Sequence, residues 1–165
     1  TASDVMRTSK VPVLIEKCRK IDRSTCGPTG KSKFKRVLVA VDFSKCSDCT
    51  LESLKEMSRI IEEVVLVSVI ERSSDVQELE KLKEEINNKL SELKSESAAA
   101  GFKTDIYIGV GSASENILRV AEEKGVTMIM MGTRGTGFIK GLLFGSTADA
   151  VARRAKVPVF LIPCL

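Results

Sequence analysis

The chain of 165 residues is 43% hydrophobic and 29% charged, enough to bury a sizeable core and too apolar for intrinsic disorder. Its formal charge of +4 is unevenly placed: residues 1–36 hold 10 Lys/Arg against 3 Asp/Glu, which leaves 16 against 19 for the rest, and with no Trp, one Tyr and six Phe there is no aromatic-laced basic surface, so nucleic-acid binding is excluded. No apolar run approaches the roughly 20 residues that span a bilayer and no charged-then-apolar leader opens the chain, so a cytoplasmic protein without a membrane partner is expected.

From the first residue, an internal repeat is visible. TASDVMRTSKVPVLI (residues 1–15) matches TADAVARRAKVPVFL (residues 147–161) at eight of fifteen positions without a gap. Three segments follow from this: residues 1–16 as the last helix and strand of a preceding repeat in a tandem protein, residues 17–33 as a solvated linker, and residues 34–165 as one complete domain. Within the linker, Gly27-Pro28-Thr29-Gly30-Lys31-Ser32 mimics the end of a phosphate loop, but Thr25 stands where that motif needs glycine and a strand follows rather than precedes it.

Short apolar runs then alternate with amphipathic stretches, the pattern of a parallel sheet covered by helices on both faces. Arg36 to Asp42 reads as the first strand of the domain. Leu51, Leu54, Met57 and Ile61 place a helix over Ser47 to Ile61, and Val64 to Ile70 is the second strand. A long helix spans Asp75 to Ala100, with Leu79, Leu82, Ile86, Leu90 and Leu93 on one stripe and Gly101 as its C-terminal cap. Thr104 to Val110 forms strand three. A helix capped by Ser112 or Ser114 carries Ile117, Leu118 and Ala121 and stops at Gly125, and Thr127 to Met131 is strand four. A helix over Ser146 to Ala155 and a strand over Val157 to Ile162 close the chain, Pro158 implying a sheet edge or the first residues of a strand.

Between strand four and the last helix lies Gly132-Thr133-Arg134-Gly135, nine residues, then Gly145-Ser146. Peptide N–H groups at a helix start are unpaired and carry the positive end of the helix dipole, so glycines that bare this backbone make an anion site without a catalytic side chain. The motif, with Lys156-Val157-Pro158-Val159 after it, the upstream run from Val37 through Asp42 to Ser44, and Leu66 to Ile70, resembles the universal stress protein family over residues 34 to 163, in its nucleotide-binding branch.

The resemblance implies a flavodoxin-like (Rossmann-like) α/β fold: an open five-stranded parallel sheet in strand order 3-2-1-4-5, with the ligand at the switch point between strands one and four. It implies ATP or AMP as ligand, with magnesium or manganese on the phosphates. Ala40, Val41 and Asp42 would border adenine and ribose, the Asp42 carboxylate accepting from ribose hydroxyls, and Val69 would meet the adenine edge through its backbone. Met131 and Gly132 would lie against ribose and α-phosphate, Gly135, Gly145, Ser146 and Thr147 would donate to the phosphate chain, and Arg134 and Lys140 could assist. It also implies pairing through the last strand, with Val11 to Ile15 antiparallel to Val157 to Ile162, within one chain or between chains.

Each feature has a plainer reading: Asp42 could cap the next helix, the glycines could only turn the chain, and Val69 suits any buried strand. Two other functions are therefore carried alongside a nucleotide-binding stress-response module, namely a dimerisation scaffold without nucleotide and a slow ATP hydrolase. The chain has no histidine, so neither a Ser-His-Asp arrangement nor a His-bearing zinc site exists, and Cys18, Cys26 and Cys164 form no second close pair beside Cys46-x-x-Cys49. That Cys-x-x-Cys opens a helix, where a dipole lowers a thiol pKa, but no aromatic-Cys-Gly-Pro-Cys surrounds it, and the five cysteines read as free thiols.

Overall fold

The computed structural model describes residues 2–20, 26–28, 32–71, 75–136 and 144–164. Along the chain its elements are α1 (Ala2–Thr8), β1 (Val13–Ile15), β2 (Cys18–Lys20), β3 (Cys26–Pro28), β4 (Arg36–Ala40), α2 (Lys45–Glu56), β5 (Glu63–Ile70), α3 (Val76–Ala99), β6 (Lys103–Val110), α4 (Ala113–Glu123), β7 (Met128–Gly132), α5 (Ser146–Arg154) and β8 (Val159–Ile162). Lys140, and residues 29–31 of the phosphate-loop mimic, lie outside the described residues.

The inner strands of the domain, β4, β5 and β7, are mostly apolar because both faces of the sheet are covered there, whereas β6 carries exposed Lys103 and Asp105. Side chains alternate between two cores: Leu38, Val65, Ile129, Met131 and Val159 face α4 and α5, whereas Val37, Val39, Val64, Leu66 and Met130 face α2 and α3. β4 sits centrally, paired in parallel with β5 on one side and β7 on the other, with β6 beyond β5 and β8 beyond β7. This is the expected order 3-2-1-4-5.

The sheet has six strands rather than five and is mixed rather than wholly parallel. β1 joins antiparallel outside β8, with Val13 opposite Leu161, Leu14 opposite Phe160 and Ile15 opposite Val159. β8 is therefore an interior strand. Pro158 is tolerated because it precedes the strand, where its carbonyl accepts the Ile129 N–H at 2.9 Å and no N–H of its own is required. The expected linker contains a small antiparallel ribbon of β2 and β3.

Helix limits follow local chemistry. Ser44, Asp75 and Ser112 cap α2, α3 and α4 through their side chains, and Gly101 (φ +96°) and Gly125 (φ +58°) supply the left-handed residue after α3 and α4. The α3 stripe is only partly a core face: Leu90 is fully buried, while Leu79, Leu82, Ile86 and Leu93 are half-buried. The reason is length. A helix of 24 residues runs about 36 Å, whereas the eight-residue strands beneath it span about 26 Å, so its first turns overrun the sheet. Among the described residues no helix is long and apolar enough to cross a membrane.

Candidate functional site

At the carboxyl ends of β4 and β7, neighbouring parallel strands whose connections leave in opposite directions, the sheet opens into a cleft of about 310 Å³. Of the twelve residues singled out from the sequence, all but Lys140, which lies outside the described residues, line it: Ala40, Val41, Asp42, Val69, Met131, Gly132, Arg134, Gly135, Gly145, Ser146 and Thr147. Val67, Ile117 and Phe144 add apolar wall, and Ser47, Thr133 and Thr136 add polar groups.

Asp42 lies two residues past the end of β4, and its carboxylate organises the first wall. Oδ1 accepts from the Ser44 N–H (3.1 Å), the Ser44 hydroxyl (2.6 Å) and the Ser47 hydroxyl (2.7 Å), while Oδ2 accepts from the Thr136 N–H at 2.8 Å. Burial pushes this carboxyl up, but the two hydroxyl and two peptide donors outweigh it and hold the group below its usual value of 3.8. Asp42 does not cap α2. Ser44 caps it, and Asp42 stands behind the cap, fixing Ser44 and Ser47 and reaching across the cleft to the glycine loop. Between them Phe43 adopts φ +59°, a left-handed conformation that costs a non-glycine residue about 1–2 kcal/mol and turns the chain sharply from strand to helix.

The loop glycines are needed for close approach. None of the three has positive φ. A Cβ on Gly132 would lie 2.8 Å from the Cys46 Cβ, one on Gly135 would lie 2.5 Å from Asp42 Oδ2, and one on Gly145 would lie 3.2 Å from the Thr133 carbonyl oxygen. Gly145 also donates its N–H to that carbonyl at 2.7 Å, so its amide is spent on closing the loop.

Past Gly145 the situation changes. α5 begins with no side-chain cap, and its first hydrogen-bonded amide is that of Asp149, which donates to the Gly145 carbonyl. The amides of Ser146, Thr147 and Ala148 precede it and have no acceptor within the helix, and all three residues line the cleft. The one acid of the first turn, Asp149, is engaged elsewhere: Arg153 holds its carboxylate at 2.8 Å and below the usual range, and Arg7 of α1 approaches at 3.6 Å. The cleft thus has a positive helix end, an ionised carboxylate opposite and an apolar wall between them.

The match to known proteins runs along the same segment. Residues 33–163 match the universal stress protein family. The chain belongs to that family. It is 31% identical to the universal stress protein MJ0577 of Methanocaldococcus jannaschii, over 78% of this chain and 94% of that protein. The solved structure of MJ0577 superposes with a TM-score of 0.74 at 33% identity, covering 81% of this chain and 98% of the other. A universal stress protein structure from Archaeoglobus fulgidus DSM 4304, at 34% identity and TM-score 0.64, covers 96% of this chain but takes up only 52% of its own length. Another from Archaeoglobus fulgidus, solved in complex with dAMP, shares the fold at 24% identity and TM-score 0.59, covering 78% of this chain and 98% of its own.

Reasoning from sequence missed the residues that anchor this universal stress protein's Asp42. The Asp42-x-Ser44-x-x-Ser47 spacing carries a signal for Ser44, two residues from Asp42, and for its cap on Ser47 three residues on, because Asp, Ser and Thr bond backbone and neighbours at those distances; the Ser47–Asp42 bond, five residues apart, has no such signal. Nothing local marks Thr136, whose backbone meets Asp42 across 94 residues of sequence.

Proposed function

We propose that this cleft binds an adenine nucleotide, ATP or AMP, and that the protein acts as a nucleotide-responsive regulatory module in stress physiology, with the cytoplasm as its compartment. The observation that carries the reading is the uncapped start of α5 facing Asp42 across the cleft. Three open amides and the helix dipole suit a phosphate chain, and the wall of Val67, Val69 and Ile117 suits a base. A universal stress protein of the same fold, from Archaeoglobus fulgidus, was captured with dAMP, in keeping with that assignment.

Asp42 is the group for the ribose, with a qualification set by its four bonds. Sugar hydroxyls would displace the Thr136 amide from Oδ2 or share that oxygen, so binding and loop position are linked. Magnesium or manganese would arrive with the phosphates, since among the described residues no three His, Cys, Asp or Glu side chains are grouped to hold a metal. The reading favours binding over turnover: a carboxylate held ionised by four donors is a weak general base.

Isothermal titration with ATP, AMP and GTP against the wild type and Gly145→Asp tests this. Aspartate is a good N-cap, so the helix should survive while its carboxylate takes the amides and repels phosphate; affinity for ATP should fall at least about tenfold. No heat with any nucleotide would favour the scaffold reading, and phosphate release above the buffer rate would favour the hydrolase.

The N-terminal segment supports a second assignment. β1 and β8 are the two copies of the internal repeat, and they pair symmetrically: Val13 and Val159 are repeat equivalents, as are Ile15 and Leu161, and Leu14 faces its own equivalent Phe160. We infer that residues 1–16 occupy the place of the last helix and strand of a second universal stress protein domain, that residues 17–33 connect the two, and that domain pairing uses this antiparallel contact.

A further inference from the structure

The Cys-x-x-Cys that stands out in the sequence is not the thiol pair that the fold assembles. Cys46 is buried, 5% exposed, with its Cβ under Gly132. Cys49, one turn further along α2, has its Sγ 3.4 Å from the Sγ of Cys164, 115 positions away beyond the end of β8. Both are free thiols; Cys49 is half-exposed and Cys164 is buried. We propose that Cys49 and Cys164 are a redox pair, which a hydroperoxide converts to a reversible intramolecular disulfide.

The roles follow from exposure. Cys49, the one open to solvent, attacks a hydroperoxide oxygen as its thiolate; the O–O bond breaks, the alcohol (water, for hydrogen peroxide) leaves with the thiol's proton, and Cys49 becomes a sulfenic acid. Cys164, shielded from solvent and already in contact, attacks that sulfur. The S–S bond forms as the S–O bond breaks, and water leaves with the Cys164 proton. Two thiols and one hydroperoxide give one disulfide, one alcohol and one water. At rest the Cys49 thiol is held above its ordinary range, chiefly by donation to Cys164, then by burial and by the Cys164 and Glu52 charges, against an opposing Lys45. The raised value keeps the thiolate fraction small at neutral pH, so the attack is slow there and speeds up as pH rises.

The link would join two supports of the cleft. α2 carries Ser44 and Ser47, which hold Asp42, while Ile162, two residues before Cys164, accepts the Thr133 N–H at 3.0 Å at the start of the glycine loop. The proposal does not depend on which ligand the cleft takes.

The test is oxidation of the full chain with hydrogen peroxide, alkylation of remaining thiols, digestion and mass spectrometry. A Cys49–Cys164 linked peptide should dominate, disappear with dithiothreitol and persist in Cys46→Ala. In Cys164→Ala, oxidation should stop at a Cys49 sulfenic acid that dimedone traps. A Cys46–Cys49 bridge, a bridge to Cys18 or Cys26, an intermolecular bridge as the main product, or a wild-type chain that goes to sulfinic acid without bridging would each overturn the assignment. The wild-type peptide map decides even if a variant does not fold.

Discussion

At the scale of single residues, Asp42 is the group on which most of the site depends. Its bonds tie a strand end, a helix cap and a loop together, so Asp42→Asn, which puts an amide N–H₂ where donors already point, should lower stability by about 1–3 kcal/mol in urea unfolding. The pH dependence has a definite sign. Because the folded carboxyl titrates below its free value of 3.8, its contribution is complete above about that pH and is lost as pH falls through the lower folded value. Asp42→Asn should therefore flatten the loss of stability as pH falls below about 4, measured by denaturant midpoints. Gly135 belongs to the same unit: Gly135→Ala sets a methyl 2.5 Å from Asp42 Oδ2 and must break the Thr136 bond, so nucleotide affinity and midpoint should fall together. Equal affinity in Gly135→Ala would show that the loop need not rest on Asp42. Most of these residues were legible in the sequence, since an acid at a strand end and glycines at a helix start are local signals. Their partners were not, because Thr136 N–H and the Cys46 Cβ reach them across the fold.

Among the elements, α2 and α5 have opposite kinds of N-terminus. α2 is capped by the Ser44 side chain, so Ser44→Ala should cost about 1 kcal/mol for the cap, and more because Asp42 loses the Ser44 hydroxyl donor while keeping the backbone N–H, read as a lower midpoint. α5 is left open by Gly145; aspartate there supplies a side-chain cap but sets its Cβ 3.2 Å from the Thr133 carbonyl oxygen, so the two effects should largely offset and leave the midpoint within about 1 kcal/mol. That divergence, lost affinity with retained stability, separates a binding terminus from a structural one. Strand positions agreed with periodicity because both cores draw on alternate residues of each strand, but α2 ends at Glu56, short of the Ile61 to which the stripe of Leu51, Leu54, Met57 and Ile61 extends it. The α3 stripe departed from it, as periodicity reports which face is apolar but not how far the sheet extends beneath it.

For the whole molecule, the deciding feature is the strand added outside β8. Removing residues 1–16 would expose the β8 edge, with Val159 and Leu161 unsupported, and the shortened chain should self-associate through β8. Light scattering on the shortened protein checks this, and a stable monomer would contradict the domain-pairing assignment. The sequence alone determined the α/β class and the internal repeat, because hydrophobic period, caps and repeated residues are read over short stretches and survive without knowledge of the rest, and its resemblance to the universal stress protein family implied the strand order and the residues around the cleft. Only the tertiary structure decided that the antiparallel pairing of β1 with β8 closes within one chain and makes the sheet six-stranded, that Asp42 spans the cleft to Thr136, that Gly145 spends its amide on Thr133, and that Cys49 meets Cys164 rather than Cys46. Those contacts join atoms far apart along the chain, and no local pattern carries the distance between them.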